Sequence, residues 1–187
     1  MDTQWASDLA RDLLADPLPS RWAHTQGVAA QARAVAPLLG GDAELVETAC
    51  WLHDIGYSPA LVRTGFHPLD GARYLRDADR GDRRVWTLVA HHTGALVEAE
   101  ERGLFDELVD EFPVTGNRAE ELLRYLTYCD LHVGPTGESL TVDERIAEIL
   151  SRYGPSDVVA RSIRRAASHL REESSWVHEI LHRSGTL

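Results

Sequence analysis

Apolar residues recur at three- and four-residue spacings along nearly the whole chain, and no segment sustains the strict alternation of a half-buried strand. That periodicity predicts helices at about 4–16, 20–38, 42–55, 67–79, 82–92, 94–102, 104–111, 117–132, 141–153 and 156–183. Particular residues mark their ends. Ser20 and Asp42 stand where N-caps are expected, and Gly56 stands where the third helix should stop. Pro68 falls in a first turn, where its missing N–H costs nothing. Thr141 with Glu144 forms a capping box, and Gly154-Pro155 separates the last two helices. The least regular stretches, 57–66, 113–116 and 133–139, are short. The expected fold class is therefore all-α. One domain spans residues 1–187, with its core at about 20–135 and a C-terminal helical extension at about 141–183. That extension shows no site of its own and suits a helical pair closing the bundle or a homodimer surface.

Composition narrows the function classes. With 187 residues, 43% of them apolar, the chain can bury a core without disulfides or a structural metal. It has no apolar run of the ~20 residues that cross a bilayer. Met1-Asp2-Thr3-Gln4 lacks the basic and apolar regions of a secretory leader, so a cytoplasmic location without membrane contact is expected. Cys50 and Cys129 form no Cys-x-x-Cys pair and read as reduced, buried thiols. The net charge of −11 has the wrong sign for nucleic-acid binding. All nineteen basic residues are arginine. Schiff-base and P-loop lysine chemistry are excluded, and any phosphate must be met by guanidinium forks, backbone amides or metal.

Nine histidines supply the candidate chemistry. Each alone reads as an ordinary hydrogen-bonded residue, but His24, the adjacent pair His53-Asp54, and Asp130 form a set on separate helices whose imidazoles and carboxylates can converge in a bundle core. Neighbours on a helix point about 100° apart, so His53 and Asp54 cannot stack on one face, but both can approach one ion at a helix end. The apolar run Ala49-Cys50-Trp51-Leu52 leads into that pair and implies a buried Asp54, for which a metal cation is the natural partner.

His24, His53-Asp54 and Asp130, in this order on successive helices, resemble the HD superfamily of metal-dependent phosphohydrolases over roughly residues 20–135. The resemblance implies an HD-type helical bundle. His53-Asp54-Ile55-Gly56 reproduces the longer form of the doublet; Tyr57 stands where a lysine often follows, which argues against cyclic-dinucleotide phosphodiesterase activity. His67-Pro68-Leu69-Asp70-Gly71 and Ala90-His91-His92-Thr93-Gly94 are similar to segments of two-metal members. By that likeness His24, His53, Asp54 and Asp130 hold one ion, with Asp54 bridging. His67 with His91 and His92 hold the other, and whether both of that pair ligate is left open. His53 and Asp54 are the residues expected at the catalytic step. Nitrogen and oxygen donors without thiolate favour two divalent ions, iron or manganese first, then cobalt, nickel or zinc.

The implied activity is hydrolysis of a small phosphorylated substrate, an ester or anhydride such as a nucleotide or dinucleoside polyphosphate, by water activated on the ions. Candidate phosphate contacts are Arg21 first, then Arg63, Arg73 and Arg76, with Thr93 on the rim. A mixed-valence diiron oxygenase of the same superfamily is the alternative, and a non-catalytic metal-binding regulatory module the third reading. His178-Glu179-Ile180-Leu181-His182 matches a zinc-peptidase pattern, but no further histidine or acidic residue follows as third ligand, so it reads as a solvated face.

Overall fold

A computed structural model describes residues 3–185; Met1 and Asp2, which belong to the N-terminal stretch read above, and residues 186–187 lie outside the described residues. The chain folds into α1 (Gln4–Leu14), α2 (Pro19–Leu39), α3 (Ala43–Leu52), α4 (His67–Asp77) and α5 (Arg83–His91). There follow α6 (Ala95–Arg102), α7 (Phe105–Glu111), α8 (Asn117–Leu131), α9 (Val142–Arg152) and α10 (Val158–Ser184). Among the described residues there is no sheet, only an isolated bridge between Val133 and Ser139. The all-α expectation holds. No helix among these residues is long and apolar enough to cross a membrane.

Two expected caps are corrected. α2 starts at Pro19, not behind Ser20, and no side chain caps it; the proline ring presets the first helical φ instead. Asp42 precedes α3 without capping it, because its carboxylate receives the guanidinium groups of Arg84 and Arg118. The Thr141–Glu144 capping box is present on α9. Asp82 and Asp157 also cap α5 and α10, each accepting from backbone N–H groups of the first turn.

α3 runs through the middle of the bundle, burying Val46, Ala49, Cys50 and Leu52 among Val28, Ala32 and Val35 of α2, Val85 and Val89 of α5, and Leu122 and Leu126 of α8. Each such aliphatic side chain contributes roughly 1.5–3 kcal/mol when fully buried. The C-terminal helices have a small core of their own, in which Ile146, Ile149, Ile163, Ala166 and Leu170 gather on Leu131. Leu131 is the residue after Asp130, so this satellite core is fastened to the end of α8 where a candidate ligand sits.

Between α3 and α4 the chain makes a tight turn at Ile55–Tyr57 that packs directly on the start of α4. A Cβ on Gly56 would lie 2.0 Å from the carbonyl oxygen of His67 and 2.8 Å from the amide nitrogen of Gly71. Gly56 therefore does more than stop a helix: it lets the His53-Asp54 doublet and His67 approach through backbone contact. Gly56→Ala should destabilise the fold by about 1–3 kcal/mol, since the obstructing atoms are backbone. At roughly 2–4 °C per kcal/mol for a chain of this size, thermal melting followed by circular dichroism resolves the loss. Gly154→Ala, where a Cβ meets nothing within 4 Å, is the control and should melt almost unchanged. Equal melting of the two variants would show that the Gly56 contact is not constraining.

Candidate metal centre

Helix ends build this site. His53 is the C-cap of α3 and His92 the C-cap of α5, where the last backbone carbonyls lack intrahelical partners. Each ring folds back to satisfy one: His53 Nδ1 lies 2.8 Å from the Cys50 carbonyl, and His92 Nδ1 lies 2.7 Å from that of Val89. His24, within α2, places Nδ1 at 3.1 Å from the Gly134 carbonyl. A ring nitrogen facing a carbonyl carries the proton, so a neutral ring presents its Nε2 lone pair inward, whereas a ring that gains a second proton donates it from Nε2 to a carboxylate. There the lone pairs meet carboxylates, which in their ionised form are also acceptors.

His24 Nε2 is 3.0 Å from Asp130 Oδ1 and 3.8 Å from Asp54 Oδ2. His53 Nε2 is 3.4 Å from Asp54 Oδ2 and 4.0 Å from Asp130 Oδ1, fully buried, and has no hydrogen-bond partner. His67, the first residue of α4, puts Nε2 at 3.4 Å from Asp54 Oδ1 and 3.0 Å from His92 Nε2. Two groups result, His24–His53–Asp130 and Asp54–His67–His92, and within each the ligand atoms lie within 4.8 Å of one another. Asp54 belongs to the second while turning Oδ2 toward the first. The orphaned His53 nitrogen and the gathering of imidazoles and carboxylates fit divalent cations: an ion on each group would turn these facing atoms into ligands.

The charges are poised accordingly. Burial works against ionisation of Asp54, yet Arg21, His53 and His67 together hold it well below the usual carboxylate range. Burial likewise opposes Asp130, and the His24 hydrogen bond with the charges of His53 and Arg145 holds it well below. Burial and the neighbouring His92 push His67 well below the histidine range, and burial with His53 pushes His92 down to about 4. His53 moves upward: burial disfavours its proton, but Asp54 and Asp130 favour it more.

Surrounding residues hold these ligands. Thr93 has a left-handed backbone, φ 41°, which a branched side chain adopts only under strain. Its hydroxyl donates to Asp130 Oδ2 at 2.5 Å, and Gly94, φ 75°, continues the turn into α6. Thr93 is thus committed to orienting a carboxylate, although it also lines the cleft. Arg21 donates to Asp54 Oδ2 at 2.8 Å and lies 4.0 Å over the Tyr57 ring, which stacks on His67 at 3.9 Å. Tyr57 is therefore a platform joining Arg21 to His67.

Four expected residues fall outside this arrangement. His91, still inside α5, directs Nε2 at the Phe112 carbonyl, 2.7 Å away, and belongs to neither group. Arg73 pairs with Glu107 and Glu111, and Arg76 with Asp77 and Glu111, so both tie α4 to α7. Arg63 lies with Arg73 along a different surface depression, where its backbone N–H donates to the buried Asp70. His178, Glu179 and His182 are exposed on α10, as the solvated-face reading expects.

The extension read as carrying no site is corrected too. The cleft over the ligands is lined by Arg21, Tyr57 and Thr93 on one side, and by Arg145, Ile149, Arg152 and Tyr153 of α9 with Ile163 of α10 on the other. Arg145 is 4% exposed and holds Nη2 at 3.8 Å from Asp130 Oδ1. Its signal was present in the sequence: it sits three residues after Val142 and four before Ile149, on the face α9 buries.

The HD domain family matches residues 21–153, the stretch from the first arginine of α2 through the end of α9. The chain belongs to the HD domain family. A ribonuclease Y from Rhodopirellula baltica is 32% identical over 117 residues, covering 55% of this chain and 20% of that protein. This HD domain chain thus corresponds to about a fifth of that relative's length. No solved structure matches.

A ligand nitrogen must shed its proton to take an ion, so metal uptake by this HD domain should release protons and weaken as pH falls. The sign follows from His53. Its folded pKa is raised, so in metal-free protein its protonation adds stability below the unfolded value of about 6.5, and that stability fades as pH rises through the folded value. The proton thus competes with metal to a higher pH than it would on a free imidazole. Calorimetric titration of metal-free protein with Mn(II), in buffers of different ionisation heat, should show about two equivalents bound, one for each group. Proton release should accompany binding, and affinity should fall from pH 8 to pH 6. Uptake without proton release across that range would contradict the His53 assignment.

Proposed function

We propose that this HD domain protein is a two-metal phosphohydrolase acting on a small phosphate ester or anhydride. The observation that carries the reading is the pair of adjoining three-residue groups with Asp54 facing both, at the foot of a cleft walled by arginines. His24, His53 and Asp130 would hold one ion and Asp54, His67 and His92 the other, with Asp54 facing both groups, Oδ1 toward His67 and Oδ2 toward His24 and His53. Ions bound there would lower the pKa of water from 15.7 toward about 7 and draw charge from phosphoryl oxygens. Donors that are all nitrogen or oxygen, with Cys50 and Cys129 buried in the core, favour iron or manganese.

The remaining work falls to the chain. Arg21, anchored by Asp54 and stacked on Tyr57, keeps a guanidinium edge at the cleft to meet phosphoryl oxygens. Thr93 fixes the rotation of Asp130. The cleft encloses about 60 Å³, the room of roughly two waters. A space this small suits no more than a phosphoryl group, and the rest of the substrate would lie across the mouth beside Tyr153 and Ile163. Similarity to a protein named as a ribonuclease supports phosphoester chemistry. A net charge of −11 favours a small substrate over a polyanion.

Anaerobically purified protein loaded with Mn(II) or Fe(II) should release phosphate from at least one member of a panel of nucleotides, dinucleoside polyphosphates and simple phosphoesters. Asp54→Asn and His53→Ala should reduce release to background with a lowered metal content. Arg21→Ala should cost about 10–100-fold, the usual effect of removing a ligand's hydrogen-bond partner. His178→Ala with His182→Ala should change neither readout. Substrate-dependent oxygen uptake in place of phosphate release would overturn the reading in favour of an oxygenase, and inertness with all metals would favour a regulatory module.

A further inference from the structure

A second cavity adjoins the metal cleft. It encloses about 70 Å³ and is lined by Ser20, Arg21, His24, Pro135, Arg145 and Arg152. Arg21, Arg145 and Arg152 wall both spaces, so three arginines border the metal cleft and this pocket alike. Their counter-charges are few. Glu148 serves two of them at once, accepting from Arg145 Nη1 at 2.6 Å and from Arg152 Nε at 2.6 Å. Arg21 is matched to Asp54, and the Arg145 edge nearest Asp130 is matched to it only at 3.8 Å; both carboxylates are needed by the ions. Arg145 is 4% exposed, and its Nε–H is buried with no acceptor. A desolvated guanidinium with an unmet donor is unfavourable until an anion reaches it.

We propose that α9 supplies a second anion subsite beside the metal centre, and that the substrate is accordingly a phosphoanhydride, with two phosphoryl groups to place. This rests on the phosphohydrolase reading above and narrows its substrate. The scissile phosphoryl group lies at the metal ligands, and its neighbour lies between Arg145, Arg152 and Ser20. Hydrolysis forms a bond from the oxygen of water to the phosphorus at the ligands and breaks the bridging P–O bond. The departing phosphate keeps that bond's electron pair, Arg145 and Arg152 receive its added charge, and the protons of the water pass to solvent. A monoester would leave the second subsite unfilled and lose its contribution.

Calorimetric titration of the Mn(II)-loaded protein with methylenediphosphonate and methylphosphonate, neither of which can be hydrolysed at the linkage, reads the subsite directly. The diphosphonate should bind at least about tenfold more tightly than the monophosphonate, the worth of one charge-assisted hydrogen bond or more. Arg145→Gln should erase most of that preference while metal content by elemental analysis stays at the wild-type level, and Arg145→Lys should restore part of it. Ser20 is exposed, so Ser20→Glu keeps the fold and sets a negative charge in the pocket; it should erase the preference too, and it serves as the deciding variant if Arg145→Gln does not fold. Equal affinities for the two ligands in the wild-type protein, or an unchanged preference in these variants, would overturn the second subsite and leave the phosphohydrolase reading standing. Failure of both ligands to bind, together with no phosphate release, would overturn both.

Discussion

Everything in this fold answers to one electrostatic demand: lone pairs that repel one another have been brought together in a buried space. Three imidazoles give their Nδ1 protons to backbone carbonyls and turn bare Nε2 atoms inward, where the acids Asp54 and Asp130 already sit. As neutral rings and ionised acids these groups cannot satisfy one another, and His53 Nε2 is left without a partner. Only positive charge resolves it. Arg21 and Arg145 supply some from the edge, and divalent ions on the two groups would supply the rest. The bundle's task is to impose this convergence against its own repulsion, which explains why α3 and α5 end where they do. A helix that stops at a histidine offers an orphaned carbonyl three residues back, and that carbonyl orients the ring. Strain at Thr93 and backbone contact at Gly56 belong to the same task, one turning a carboxylate and the other closing the gap to α4.

The sequence was most readable where chemistry and helix ends coincide. His53-Asp54 announces itself because an apolar run leads into it and a glycine follows, and His24, His67 and Asp130 each lie on a separate helix. His91 and His92 could not be separated on sequence, since both sit where α5 ends. What separates them is one residue of helical rotation. His92 has left the helix and folds back on Val89, whereas His91 remains within it and is carried round to Phe112. Arg63 and Arg73 were legible only as neighbours of ligand segments, and position along a chain does not say which way a long side chain turns. Acidic Glu107 and Glu111 on α7 decided the matter for Arg73.

Tyr57 and the absence of lysine bear on each other. A lysine after the doublet would bring a mobile point charge to the cleft. Tyr57 brings a flat surface instead, and the cation resting on it is the guanidinium of Arg21, which stacks as an ammonium cannot. Burial, despite the charge of Arg21, pushes the Tyr57 hydroxyl well above its usual range, so it stays neutral beside the carboxylates. The chain as a whole is strongly acidic, yet the basic groups at the cleft are all forked, rigid and partly desolvated. Such groups discriminate by geometry as well as by charge, as recognition of a tetrahedral anion requires.

The family match runs through Tyr153, past the last metal-ligand candidate and to the end of α9. Packing gives this extent a physical meaning. Leu131, next to Asp130, is buried not in the main core but among Ile146, Ile149, Ile163 and Leu170 of the last two helices. Any shift of α9 or α10 therefore moves the side chain adjoining a ligand, and any shift of Asp130 moves the wall that carries Arg145. A helical pair that looks like an accessory on sequence is mechanically one piece with the centre. The cleft wall that carries Arg145 is held by the same contacts as the end of α8 that carries Asp130.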